Sequence, residues 1–236
     1  MMLIEQQPAY VLHGRAYRET SLLLECLTRD YGRVGVVARG VRGQRPKLSR
    51  SQLEPFQALH VDFSLRGELA TLRAAEPCDA PRRLRGDALL GGLYINELVV
   101  RLSARHDAQP GLFEAYRRTL ERLPQPGQLA WALRRFERDL LAELGYGLQL
   151  RYEAESGEPI QAQAIYRYLP EQGAVPAAHG PGTVRGQALL ALEADQCPSI
   201  EDLRDLRKLM RVQIGHHLGG GQLNAWSVLR ATRTPR

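Results

Sequence analysis

No stretch of roughly 18 consecutive apolar residues occurs in the 236-residue chain, so no segment reads as a bilayer-spanning helix. Met1 to Tyr10 carries Glu5 and Gln6 where a secretory leader needs a basic flank and then an apolar stretch, and a cytoplasmic location is expected. Cysteine is scarce. Cys26, Cys78 and Cys197 lie far apart, which leaves no C-x-x-C pair for zinc or redox chemistry. Cys26, inside the apolar run Ser21 to Leu27, reads as a small buried strand residue. The six histidines, His13, His60, His106, His179, His216 and His217, show no metal-ligand spacing, so no metal or other cofactor is expected. Nucleotide-binding and metalloprotease signatures are missing too: there is no G-x-x-x-x-G-K-[ST], no G-x-G-x-x-G and no H-E-x-x-H. Gly219-Gly220-Gly221 follows a helical pattern instead of joining strand to helix, and reads as a helix stop. A non-enzymatic protein is expected.

What the chain does have is basic charge, unevenly spread. The formal net charge is +6. Residues 1 to 80 hold 11 basic and 9 acidic side chains, residues 81 to 203 hold 14 and 16, and from Arg204 onward 7 basic side chains face the single Asp205. Clusters of this kind suit a polyanion, because each Lys or Arg that neutralises a phosphate releases condensed counterions. A protein that is simply basic and soluble would show the same total.

The first 75 residues read as β. Ala9–Tyr17, Ser21–Thr28, Arg33–Arg39, Phe56–Phe63 and Leu69–Ala74 are short apolar runs separated by turns. Leu22, Leu24, Cys26 and Val34, Val36, Ala38 alternate with period 2, as half-buried strands do. Five strands without a long helix fit a small OB-type Greek-key barrel or an SH3-like one, and strand count does not separate them. Beyond Pro81 the period turns helical. Asp87–Arg105, Leu112–Leu123 and Gln128–Leu144 carry apolar residues three and four apart. Residues 157–182 are rich in Gly, Pro and Ala, with a candidate strand at Ala164–Leu169. A last helix begins at Ser199, where Ser-x-x-Asp with Asp202 suggests an N-terminal cap, and runs to about His217. The expected architecture is α+β, with a barrel domain over 1–80 and a mostly helical domain over 81–236.

Two features could carry chemistry. Arg39 to Arg50 holds Arg39, Arg42, Arg45, Lys47 and Arg50, no acid, and three chain breakers. It reads as a cationic loop that grips phosphates beside a barrel groove, or as a solvated basic loop. Arg33, on the preceding strand, is grouped with it as phosphate-contacting, as are Arg204, Arg207, Lys208 and Arg211 on the last helix, where a solvated basic face is the competing reading. On the helix from Gln128, the residues Trp131, Arg134, Arg135 and Arg138 fall on one stripe opposite the leucines. Guanidinium forks beside a Trp suit an acidic peptide, provided no other helix covers them, and a solvated outer face is the competing reading.

Several passages together resemble the RecO family of DNA repair proteins. They are Ala9-Tyr-Val-Leu-His13, Tyr17-Arg-Glu-Thr-Ser21, Gly32-Arg-Val34 through Val37-Ala-Arg-Gly40, Gly92-Leu-Tyr-Ile-Asn-Glu-Leu98, Leu133-Arg-Arg-Phe-Glu137, Leu144-Gly-Tyr-Gly147, Ser156-Gly-Glu-Pro159 and Tyr166-Arg-Tyr168. The resemblance implies an N-terminal OB barrel, a helical C-terminal domain and no catalytic centre. It implies binding of single- and double-stranded DNA, strand annealing, and help in loading RecA on strands coated by single-stranded DNA-binding protein (SSB). The partners it implies are RecR and the acidic C-terminal tail of SSB, with Trp131, Arg134, Arg135 and Arg138 as the tail-binding set, and a nucleoid-associated location. Many members of the family carry a four-cysteine zinc module after the Gly-Tyr-Gly turn. This chain has no cysteine between Cys78 and Cys197, so a zinc-free, degenerate hairpin is expected at about 150–182, with Glu153 and Ser156 near the position of the first cysteine pair. An RNA-binding accessory protein is the alternative of a different class, since an OB barrel with basic helices also suits structured RNA.

Overall fold

The computed structural model describes residues 2–42, 48–80 and 82–225. Five strands come first: β1 (Met2–Tyr17), β2 (Ser21–Thr28), β3 (Gly32–Ala38), β4 (Ala58–Arg66) and β5 (Leu69–Pro77). They close into a barrel in the order β1-β2-β3-β5-β4, with β1 also pairing β4 and with β3 and β5 parallel. That order is the OB-type arrangement, which decides against the SH3-like alternative.

One 16-residue strand borders both β2 and β4 because its register shifts twice, between Ile4 and Gln7 and between Val11 and His13. Each irregularity bends and twists the strand, as barrel closure requires. At the first, Gln6 adopts φ 51° and its N–H donates to the Asp62 carboxylate at 2.7 Å. The alternation read from the sequence sends Leu22, Leu24, Cys26, Val34, Val36 and Ala38 into the core, joined by Phe63 and Leu72. The β2–β3 turn needs Gly32: its φ is +62°, and a Cβ there would stand 1.9 Å from the Asp107 carbonyl oxygen.

Two helices belong to the same compact unit as the barrel, which extends from residue 1 to Leu120. They are α1 (Gly86–Leu102) and all but the last two residues of α2 (Pro110–Arg122). Buried Asn96 on α1 donates to the Leu12 carbonyl on β1 at 2.8 Å and accepts from the Tyr116 hydroxyl on α2 at 2.6 Å. Tyr10 packs its ring against Phe113 and Tyr116, with centroids 5.4 and 5.0 Å apart. The change of periodicity at residue 81 therefore precedes the packing boundary by about 40 residues. Leu89 and Leu93, read from the sequence as part of the apolar stripe, lie exposed.

The second unit runs from Glu121 to the end. It holds α3 (Leu129–Glu143), β6 (Ile165–Leu169), β7 (Gly173–Pro176), β8 (Thr183–Arg185), α4 (Gly186–Glu193) and α5 (Ile200–His217). The three short strands form a sheet in the order β7-β6-β8. Helices α3 and α4 both pack on α5. The Ser199 cap forms as expected, its hydroxyl accepting from the Asp202 N–H at 3.1 Å.

Candidate nucleic-acid interface

The β1–β2 turn and the chain leaving β3 meet at one rim of the barrel. Ala38 pairs with Leu22 at the end of the β2–β3 ladder, and the Arg42 N–H donates to the Thr20 carbonyl at 2.9 Å. Val41 is buried and pins this segment, leaving Arg39 and Arg42 exposed on either side. Across the turn, Arg18 is exposed with φ +53°, and its guanidinium stands 5.3 Å from the centre of the Tyr17 ring. Arg15 is exposed on the same hairpin. The rim thus gathers Arg18, Arg39 and Arg42, with Arg15 close in sequence and Glu19 as the acid within the turn. Sequence reading missed Arg18 as a site residue. Its signal was the Tyr17-Arg18 pair at a predicted hairpin turn, an aromatic and a cation where a nucleic-acid strand could pass.

Arg45 and Lys47 lie outside the described residues. Arg50 is exposed on a short 3-10 helix, Arg50–Leu53, in a loose 3.7 Å ion pair with Glu54, a contact that water and salt screen. Arg33 does not join this group. Its side chain is only 13% exposed, pairs with Glu25 at 2.8 Å, and donates to the Ser103 carbonyl at 2.9 Å. Arg33 fastens the end of α1 to the barrel, and its charge is already used.

On α5, Arg204, Arg207 and Lys208 are exposed and Arg211 is half-buried, while Leu206, Met210 and Ile214 fill the opposite face. The face is not purely cationic, since Lys208 pairs with Asp205 at 3.0 Å.

The stripe on α3 departs from expectation. Trp131 is 4% exposed and Arg134 is 6%. Arg134 pairs with Glu137, which is wholly buried. Arg135 donates to Asp195, and Arg138 reaches Asp195 at 3.3 Å, Asp139 at 2.7 Å and the Leu192 carbonyl at 2.5 Å. Arg135 also stands 5.9 Å from the centre of the Trp131 ring. Burial pulls the Arg135 guanidinium below its usual range; Asp195 opposes this, and neighbouring Arg122 and Arg138 add to it. The helix is covered on two sides, so an open stripe of one Trp and three Arg does not exist. What reaches solvent is the edge formed by Arg135, Arg138 and Asp195.

The family models for Recombination protein O cover almost the whole chain: the N-terminal model matches residues 1–81 and the C-terminal model residues 83–227. The chain belongs to the RecO family. It is 47% identical over 234 residues to the DNA repair protein RecO of Xanthomonas oryzae pv. oryzae (strain PXO99A), covering 97% of each protein. Identity to the DNA repair protein RecO is 46% for Xanthomonas campestris pv. campestris (strain B100) and 46% for Stenotrophomonas maltophilia (strain K279a), again over 97% of each chain.

For a RecO protein the region after α3 raises the question of zinc. Here Glu153 accepts from the Ser156 hydroxyl at 2.6 Å and from the Tyr166 hydroxyl at 3.1 Å, and the Tyr166 oxygen accepts from the Gln161 N–H at 3.0 Å. One carboxylate and two hydroxyls, already bonded to one another, do not fit a tetrahedral thiolate site. Among the described residues no group of three or more His, Cys, Asp or Glu is placed to hold a metal ion. Neither Cys26 nor Cys78 offers an activated nucleophile. Burial lifts the Cys26 thiol to about 12. Cys78, 3.5 Å from His60, is also pushed up, by burial and then by Asp79. Among the described residues no helix is long and apolar enough to cross a membrane.

Proposed function

We propose that this chain is a non-catalytic, cytoplasmic and nucleoid-associated DNA repair protein. In this reading it binds single- and double-stranded DNA, anneals complementary strands, and helps RecA load on single strands coated by SSB. RecR and the acidic SSB tail are its protein partners. The observation that carries the reading is the barrel rim, where Arg18, Arg39 and Arg42 stand exposed beside Tyr17 on two segments joined by a backbone hydrogen bond. Among the described residues no ion pair joins Arg18, Arg39 or Arg42 to a carboxylate; such guanidinium groups are available to phosphates, and contacts of this kind give affinity without sequence readout. A ring at the same turn suits unstacked bases. By their charge alone Arg45 and Lys47 are further phosphate contacts in this proposal, and so, on the second unit taken by itself, are Arg204, Arg207, Lys208 and Arg211 on α5. The SSB tail is assigned to the half-buried Arg135–Arg138 edge, with Trp131 and Arg134 supporting it from inside.

Replacing Arg18, Arg39 and Arg42 together by Glu tests the reading. Single-stranded DNA affinity should fall at low salt for every sequence tried, and the slope of log K against log salt should flatten by about two to three units. Unchanged affinity and slope in a folded variant would remove the rim from the interface. Preferential binding of structured RNA over single-stranded DNA of equal length by the native chain would replace DNA as the ligand.

A further inference from the structure

Asp195 occupies a place where a carboxylate is locally unfavourable. It is the first residue past α4: Ala194 caps the helix, and Asp195 takes φ +56°, followed by Gln196, whose N–H closes back on the Ala191 carbonyl at 2.9 Å. Gly and Asn dominate this left-handed position, and a helix C-terminus carries partial negative charge that disfavours an acid. Something else must account for Asp here. The carboxylate reaches Arg135 and Arg138 on α3, and it remains 42% exposed while the two guanidinium side chains are 16% and 19% exposed.

The arginine it holds is incompletely satisfied. Arg135 donates to Asp195 through Nη2 alone, and its buried Nε has no hydrogen-bond partner. A guanidinium fork makes its strongest contact when two parallel N–H groups meet both oxygens of one carboxylate. Arg122 and Arg138 add positive potential around the same fork.

We propose that Asp195 is an internal stand-in, a carboxylate that caps the Arg135–Arg138 pair until an acidic peptide displaces it. The proposal rests on the assignment of the SSB tail to this edge and adds that the docking is a competition within the chain. The incoming carboxylate takes Nε and Nη2 of Arg135 together, and the Ala194–Ser199 loop swings clear. An acidic peptide fits this site better than DNA does, because Trp131 beside it is buried and offers no face to a base.

Asn and Gly both accept the left-handed backbone, so Asp195→Asn and Asp195→Gly remove the charge while keeping the fold. The probe is a fluorescein-labelled peptide of about ten residues with clustered aspartates and a free, apolar C-terminal end, measured by anisotropy on the full chain. Both variants should bind it about tenfold more tightly than the native protein, and the gain should vanish in an Arg135→Ala background. Native-level binding by both variants, at an unchanged thermal midpoint, would overturn the internal competition. If Arg135→Ala and Arg138→Ala still weaken the peptide in that event, the docking site itself stands. If neither does, the docking assignment falls with the competition. A gain for a labelled single-stranded oligonucleotide and none for the peptide would also overturn it, by making this a phosphate site.

Discussion

Arg134 and Glu137 form an ion pair with almost no access to water. Removing the Arg134 guanidinium takes one partner from this buried carboxylate, a loss of up to roughly 3 to 5 kcal/mol, the range for a buried pair broken from one side. Arg134→Ala should therefore lower stability by that order in urea unfolding, and any loss of peptide binding it causes would follow from the fold. A stability change below about 1 kcal/mol would instead make Arg134 a surface group. Cys26 makes a second residue-scale case. Its thiol ionises near 9.0 when the chain is unfolded but near 12 in the barrel, so the folded state holds the proton longer. The contribution is fully present below pH 9 and is lost as pH rises toward 12, at about 1.4 kcal/mol per pH unit. Unfolding free energies at pH 8 and pH 10.5 should diverge more for the native protein than for Cys26→Ala. Equal pH dependence in the two would show that Cys26 is not held in its thiol form by burial.

At the scale of elements, the barrel strands lean on α1 and α2. Tyr10 and Leu12 are buried although they stand outside the barrel core, and the Asn96 side chain satisfies the Leu12 carbonyl. A fragment of residues 1–80 should expose them and unfold without a cooperative transition, while residues 1–120 should unfold in one step. Cooperative unfolding of the shorter fragment would contradict this. The strands themselves were legible because period-2 alternation is a local signal, and the Ser199 cap because its chemistry spans three residues. The first half of β1 was not legible. The first expected strand begins at Ala9, because Glu5, Gln6, Gln7 and Pro8 show no period-2 apolar alternation; their place is fixed by β4, more than 50 residues away. Helix α4 was missed as a short apolar run with no polar face. Among the candidate site residues, Arg39 and Arg42, expected from charge and chain breakers alone, stand exposed. Arg33 and the α3 stripe were misread for one reason: a helical or strand face shows its charge in the sequence, but the partners that cover it come from far along the chain, Ser103 for Arg33 and Asp195 for Arg135.

At the scale of the whole molecule, the chain belongs to the RecO family, with an OB-type barrel and a helical second unit. A hydroxyl–carboxylate network surrounds Glu153, where a zinc module would need thiols. The central claim is that this fold works by holding DNA at the barrel rim, without turnover. The most direct measurement is the annealing of complementary single strands coated with SSB, followed by fluorescence quenching with no nucleotide and no metal added. The native chain should speed annealing many-fold over the coated strands alone. The variant with Arg18, Arg39 and Arg42 replaced by Glu should lose that acceleration while keeping its thermal midpoint. Native-rate annealing by that folded variant, or no acceleration by the native protein, would contradict the account.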